Sequence, residues 1–205
     1  MGESAHIFDG VRGLLFDLDD TLFDRDKAFK AWATSFVQAH CPTEKDIQAA
    51  EVLALLISLD GHGYTPRRSL FSQLQQVYPS LCPSIDQLVT VYYEQRDRGI
   101  EPGEGTISLL HTLREAQIPF GIVTNGSSQQ QQKIVALGLD ELTSCVFISE
   151  VFGAKKPDAS IFLAAAACLQ VAPEEILFVG DHPLNDIWGA HTVGMKTVWF
   201  QRYQD

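Results

Sequence analysis

Aspartates that follow short apolar runs of this chain could together hold a metal ion. Asp17 and Asp19 come directly after residues 13–16, and Asp181 ends a run that starts at Ile176. If these side chains converge, two unit charges about 4 Å apart repel by about 4 kcal/mol at an effective dielectric constant near 20. A domain with a total stability of about 5 to 15 kcal/mol tolerates several such pairs only beside a cation. Oxygen donors without His or Cys at metal spacing favour a hard ion, so Mg2+ is the expected cofactor.

A second set of residues could bind a phosphoryl group and neutralise its charge. Thr124 and Asn125 offer a hydroxyl and an amide at the end of another apolar run, and Gly126 lets main-chain N–H groups approach an anion closely. The lysine pair Lys155 and Lys156 supplies positive charge, and the sequence leaves open which of the two reaches the site. An aspartate with a pKa of about 3.9 is ionised at neutral pH and can attack phosphorus once the phosphate charge is screened.

Alternating strands and helices must bring these residues together. Short apolar runs typical of buried strands lie at residues 13–16, 118–124, 145–149, 176–181 and 197–200. Segments of helical period separate the later runs, which predicts an α/β fold with a Rossmann-like parallel sheet and helices on both faces. Ligands bind beyond the carboxyl ends of the strands in such a sheet, and the aspartates and Thr124 lie at these ends.

Residues 23–100 interrupt the alternation, because they contain only helical spacing. Pro42, the loop at residues 60–63, and Pro79 with Pro83 separate four such stretches. We therefore expect an all-helical insert of about four helices at residues 23–100. The α/β core would then consist of residues 1–22 and 101–205.

Composition and charge exclude several classes of partner. The chain has 205 residues, of which 45% are hydrophobic and 20% charged, as in folded proteins. A formal charge of -11 argues against binding to a nucleic acid polymer. No stretch approaches the roughly 18 consecutive apolar residues of a membrane span, so no membrane association is expected. The N-terminus lacks the pattern of a signal peptide and the four cysteines form no Cys-x-x-Cys pair, which predicts reduced thiols in a cytoplasmic protein. A monomer or a homodimer is expected, and the sequence leaves the choice between them open.

Taken in order, these motifs resemble those of the haloacid dehalogenase superfamily. The motifs are Asp17-Leu18-Asp19-Asp20-Thr21, Thr124-Asn125-Gly126, Lys156-Pro157, and Gly180-Asp181 followed by Asp186. The resemblance covers nearly the whole chain and is closest to the branch with a helical cap inserted after the first motif. It implies a phosphoric monoester hydrolase, because members that dehalogenate lack an acid at the position of Asp19.

The resemblance implies a catalytic role for three residues. Asp17 would be the nucleophile that forms an aspartyl-phosphate. Asp19 would be the general acid that protonates the leaving alcohol and then activates water. Lys156, which directly precedes the proline as in the family pattern, would orient Asp17 and neutralise charge.

The resemblance also implies the binding residues. Thr124, with Asn125 and Gly126, would bind the phosphate. Mg2+ would be held by Asp17, Asp181 and the main-chain carbonyl of Asp19. Asp186 would support this metal shell, although an acidic residue at a helix N-terminus is almost equally expected there.

These inferences predict a Mg2+-dependent phosphatase that acts on a small phosphorylated metabolite. Nucleotides, flavin mononucleotide and sugar phosphates are the substrate classes that the resemblance implies. A phosphomutase of the same superfamily is the alternative, because it would form the same aspartyl-phosphate and return it to a sugar. A phosphorylation-controlled signalling module is a third reading, which the long helical insert disfavours.

Overall fold

The structure is a computed structural model that describes residues 7–41, 46–81, 84–96 and 100–201. The chain divides into two compact units, an α/β unit of Met1–Asp24 with Glu101–Asp205 and a helical unit of Arg25–Ile100. Phe23 forms β-bridges with Asp19 and Pro102, so it belongs to the α/β unit. The helical unit thus starts at Arg25, whereas the sequence placed its start at residue 23. Pro42, Cys82 and Pro83 lie outside the described residues.

The helical unit packs its helices around an aromatic cluster. The helices are α1 (Arg25–His40), α2 (Asp46–Asp60), α3 (Arg67–Val77) and α4 (Ile85–Gln95), with a short 3-10 turn at Pro79–Leu81. The Trp32 ring lies 4.8 Å from the Tyr92 ring, edge to face, and 5.4 Å from the stacked Phe36 ring. Among the described residues of this unit, regular secondary structure is entirely helical.

A buried cluster of charged side chains, formed by Asp60, Arg25 and Arg67, lies beside the loop between α2 and α3. The Asp60 carboxylate accepts hydrogen bonds from the guanidinium groups of Arg25 and Arg67. Burial alone would raise the pKa of Asp60, but the two arginines lower it below its ordinary value. The stability that the Asp60 carboxylate contributes is therefore fully present above the pKa of Asp60 in the unfolded chain. It is lost as the pH falls through the lower pKa of Asp60 in the folded chain.

A five-stranded parallel sheet forms the centre of the α/β unit, as predicted. The strands are β1 (Gly13–Phe16), β2 (Phe120–Thr124), β3 (Val146–Ile148), β4 (Ile176–Gly180) and β5 (Lys196–Trp199). Their order across the sheet is β3-β2-β1-β4-β5, and each neighbouring pair is parallel. Almost every residue of β2 and β4 is buried, because apolar side chains on both faces meet helices.

Helices between the strands complete the α/β unit. They are α5 (Thr106–Glu115), α6 (Gln130–Ala136), α7 (Ser149–Phe152), α8 (Ala159–Leu169) and α9 (Gly189–Thr192), with a π-helical segment at Pro183–Trp188. Ile161, Phe162 and Ala165 of α8 are fully buried in one core with Leu15 and Phe178 of the sheet. No helix in the described ranges is long and apolar enough to cross a membrane.

The strand order determines which residues meet at the carboxyl edge of the sheet. Phe16, the last residue of β1, is in register with Ile122 of β2 and with Val179 of β4. The chain builds β2 and β3 on one side of β1, then returns to build β4 and β5 on the other. Residues that follow β1, β2 and β4 therefore leave the sheet side by side, at the point where ligands bind in folds of this class.

Asp60→Asn should lower the free energy of unfolding by about 3 kcal/mol, because it removes the buried carboxylate that Arg25 and Arg67 share and leaves Arg25 with only its partner Asp26. Asp86→Asn is the matched control, since Asp86 pairs with Arg68 at the exposed surface and its loss should cost less than about 1 kcal/mol. Urea unfolding followed by circular dichroism measures both. Equal losses in the two variants would contradict a structural role for the buried cluster.

Candidate active site

Lys156 joins two carboxylates in the interior of the α/β unit. Its ammonium lies 2.5 Å from Asp17 Oδ1 and 2.7 Å from Asp186 Oδ1, and it donates to the main-chain oxygen of Val123 at 2.8 Å. Lys156, Asp17 and Asp186 are only 2%, 6% and 1% exposed, respectively. Lys155 is exposed, so Lys156 is the member of the lysine pair that reaches the carboxylates. Burial alone would lower the pKa of Lys156, but Asp17 and Asp186 raise it above its ordinary value, which keeps the ammonium charged.

Backbone geometry places Asp17 and Asp186 beside each other. The Asp17 N–H donates to the main-chain oxygen of Val179 at 2.9 Å and so continues the β1–β4 ladder by one residue. Asp186 Oδ2 accepts from the His182 N–H at 3.0 Å, within the turn into the π-helical segment. A Cβ on Gly180 would come within 2.6 Å of the Asp186 Cβ. Gly180 is therefore required for Asp186 to pack against the end of β4.

Asp181 completes a group of three carboxylates. Asp17, Asp181 and Asp186 each offer an oxygen atom, and these atoms lie within 4.8 Å of one another. Burial raises the pKa of Asp17 well above its ordinary value; Lys156 opposes this shift, and Asp186 and Asp181 add to it. Burial, Asp186 and Asp20 raise the pKa of Asp181 to about 7. The three ionised groups with the single ammonium would carry a net charge of -2, from three negative charges and one positive.

The donor set of this carboxylate group fits a divalent cation. All the donors are carboxylate oxygens, which hard ions such as Mg2+ prefer. Asp186 Oδ1 is buried and, apart from its ion pair with Lys156, accepts no well-directed hydrogen bond among the described residues. A divalent ion would balance the net charge. Asp17, Asp181 and Asp186 are thus the side chains that could hold it.

The remaining predicted metal residue, Asp19, has its carboxylate bound by α6. Lys133 Nζ lies 2.5 Å from Asp19 Oδ1, and Gln130 Nε2 donates to Asp19 Oδ2 at 2.7 Å. Gln130 and Lys133 were not among the residues predicted for the site. The signal that could have identified them is their three-residue spacing on the first helix after Gly126, which places both side chains on one helix face.

The predicted phosphate-binding residues make contacts that organise the site. Thr124 is buried, and its hydroxyl accepts from Gln130 Nε2 at 3.0 Å. The Asn125 side chain accepts from the Lys156 N–H at 2.8 Å and donates to the Lys156 oxygen at 2.9 Å, so it fixes the main chain on which Lys156 is carried. The Gly126 N–H donates to Ser149 Oγ at 3.0 Å. Contact of Thr124, Asn125 and Gly126 with a phosphate stays a prediction.

Comparison with known proteins identifies one protein family. Residues 14–200 match the family model described as haloacid dehalogenase-like hydrolase. A glyceraldehyde 3-phosphate phosphatase of Pyrococcus furiosus is 32% identical over 196 residues, which cover 93% of this chain and 81% of the relative. The pyrimidine 5'-nucleotidase YjjG of Escherichia coli is 26% identical, covering 93% of this chain and 86% of the relative. A solved structure of the HAD hydrolase YfnB from Bacillus subtilis, bound to magnesium, superimposes with a TM-score of 0.70 at 27% identity, covering 95% of this chain and 90% of the other.

We expect Mg2+ to stabilise the chain against thermal unfolding, because the three carboxylates come together only in the folded chain. At a concentration of 100 times Kd the expected gain is about 2.7 kcal/mol. Asp181→Asn removes one ligand charge and should weaken Mg2+ binding by on the order of tenfold or more, the loss typical even of an outer-shell partner. Differential scanning calorimetry across a Mg2+ series measures both.

Asp140→Asn is the matched control for this metal prediction, since Asp140 is an exposed aspartate of the same unit, outside the carboxylate group. It should retain the full Mg2+ effect. An equal Mg2+ shift in Asp181→Asn, or no shift in the unaltered chain, would remove the carboxylate group as the metal site.

Proposed function

Because the chain belongs to the haloacid dehalogenase-like hydrolases and is a phosphoric monoester hydrolase, we propose that it uses Mg2+ and an aspartyl-phosphate on Asp17 to hydrolyse a small phosphorylated metabolite. The observation that carries this proposal is the buried ion pair between Asp17 and Lys156, with Asp186 and Asp181 beside it. A buried aspartate held in one orientation by a charged lysine is suited to nucleophilic attack. The magnesium in the related YfnB structure supports the choice of ion.

In the first half of the reaction, the Asp17 carboxylate attacks phosphorus and the bond from phosphorus to the ester oxygen breaks. Asp19 donates a proton to that oxygen, so an alcohol leaves. Lys156 keeps Asp17 oriented through their ion pair, and the carboxylates of Asp17 and Asp186 raise its pKa and so favour its charged form. Mg2+, when held by Asp17, Asp181 and Asp186, would supply positive charge to the phosphoryl oxygens.

In the second half, water attacks the phosphorus of the aspartyl-phosphate. Asp19 accepts a proton from this water, and the bond from phosphorus to the Asp17 oxygen breaks. Inorganic phosphate leaves, and Asp17 returns to its carboxylate form. The same residue therefore acts once as an acid and once as a base.

The names of the relatives indicate the substrate classes to test first. One relative is named for glyceraldehyde 3-phosphate and another for pyrimidine nucleotides. Both are small monoesters. We place short-chain sugar phosphates first, because the relative named for one shares 32% of its residues with this chain. Nucleotides and flavin mononucleotide follow.

With Mg2+, the protein should release phosphate from at least one member of a panel of these monoesters, and Asp17→Asn should lower kcat/KM by at least about 10³-fold. An amide cannot form the aspartyl-phosphate, so the whole nucleophilic route is lost. Phosphate release is measured by colorimetry, and circular dichroism verifies that the variant is folded. Asp140→Asn serves again as the control. Undiminished hydrolysis by folded Asp17→Asn would exclude Asp17 as the nucleophile.

Turnover in water enriched in oxygen-18 should place one labelled oxygen in each released phosphate, because water cleaves the aspartyl-phosphate. Mass spectrometry of the phosphate measures the label. A phosphomutase would instead return the phosphoryl group to a sugar hydroxyl. Isomerised sugar phosphate without labelled phosphate would therefore favour the mutase over the hydrolase.

A further inference from the structure

Two buried side chains of α6 bind opposite oxygens of the Asp19 carboxylate. Lys133 Nζ lies 2.5 Å from Oδ1, and Gln130 Nε2 lies 2.7 Å from Oδ2. Gln130 and Lys133 are both buried, whereas the Asp19 side chain is 28% exposed. Two buried donor side chains thus bind a carboxylate that is partly exposed to solvent after the end of β1. We call Gln130 and Lys133 the α6 clamp.

The α6 clamp also ties Asp19 to the end of β2. The Gln130 amide nitrogen that donates to Asp19 Oδ2 donates as well to Thr124 Oγ1, at 3.0 Å. One NH2 group therefore lies between the Asp19 carboxylate and the Thr124 hydroxyl. A Cβ on Gly126 would come within 2.6 Å of Gln130 Cγ, so glycine at this position lets Gln130 reach both partners.

The burial of Lys133 needs a reason, because an apolar side chain would fill the same space without a desolvation cost. Lysine is almost never buried unless it is paired. Its ammonium contacts the Asp19 carboxylate and lies 5.3 Å from the centre of the Phe23 ring, which offers a face to the charge. Phe23 and Asp19 belong to the same turn after β1, so both contacts fix that turn.

We propose that Gln130 and Lys133 are positioning residues, which hold the Asp19 carboxylate beside Thr124 so that it reaches the ester oxygen of the bound monoester. The inference rests on the proposed function, in which Asp19 is the general acid. Neither clamp residue needs to touch the substrate in this role.

If the α6 clamp positions the general acid, the loss of kcat/KM in a clamp variant should depend on the leaving group of the substrate. The ester oxygen of an alkyl phosphate needs a proton as it departs, whereas the leaving group of p-nitrophenyl phosphate, p-nitrophenolate, is a stable anion and needs none. For Lys133→Met, kcat/KM should fall by about 10- to 100-fold with an alkyl phosphate and by less than about threefold with p-nitrophenyl phosphate. This ratio of kcat/KM values reports only the steps up to departure of the leaving group, so slow hydrolysis of the aspartyl-phosphate does not affect it.

Three further variants make the test specific. Gln130→Leu removes the other donor at nearly constant volume and should show the same selective loss, which keeps the proposal testable if Lys133→Met does not fold. Lys133→Arg retains a charged donor and should recover part of the alkyl phosphate activity. Lys155→Met, which removes the adjacent exposed lysine of the pair, should leave both substrates unaffected.

The outcomes separate this proposal from the proposed function. If the unaltered protein hydrolyses both substrates but folded Lys133→Met and Gln130→Leu lower them equally, or lower neither, the clamp is not a positioning device for the acid. If the unaltered protein hydrolyses no monoester with Mg2+, the proposed function itself fails. Selective loss with the alkyl phosphate supports both.

Discussion

The buried contact of one ammonium with two carboxylates is the interaction on which the rest of this site depends. Lys156, Asp17 and Asp186 are each removed from water, and loss of the Lys156 ammonium would leave two buried carboxylates without compensation. The local structure is built to keep the three together. Asn125 fixes the main chain of Lys156, and Gly180 leaves room for Asp186. With Asp181 beside them the group is still negative in sum, which suits a divalent cation and then an anionic phosphoryl group.

Sheet topology makes this contact possible between residues far apart in the chain. β1 lies between β2 and β4, so the residues that follow these three strands share one edge. The chemistry-bearing side chains are carried on loops, but the strands fix where each loop starts. A parallel sheet buried on both faces is a rigid support of the kind that catalytic groups need. The same edge carries Thr124, whose hydroxyl accepts a hydrogen bond from Gln130 of the α6 clamp.

Apolar runs and their terminal polar residues were sufficient to predict the sheet, because buried parallel strands leave a strong sequence signal. Spacing could not decide between Lys155 and Lys156, since the direction of each side chain depends on the turn before the next helix. Asn125 and Gly126 were assigned to phosphate, yet their amide and N–H groups contact Lys156 and Ser149. Hydrogen-bond donors in a loop can bond to neighbouring protein groups as well as to a ligand, and the residue types alone do not show which partner each donor has. Gln130 was hidden for a related reason: it lies in a glutamine run at residues 129–132 that is typical of a solvated helix, and only the register of α6 turns it inward.

The most direct test of the carboxylate group as a cation site is anomalous diffraction from crystals grown with Mn2+, which replaces Mg2+ at carboxylate sites and scatters anomalously. We expect the strongest anomalous peak of the α/β unit between the carboxylates of Asp17 and Asp181, with Lys156 still paired to Asp17. A peak elsewhere in the unit, or an empty carboxylate group at saturating Mn2+, would contradict the claim that a divalent cation balances these buried charges.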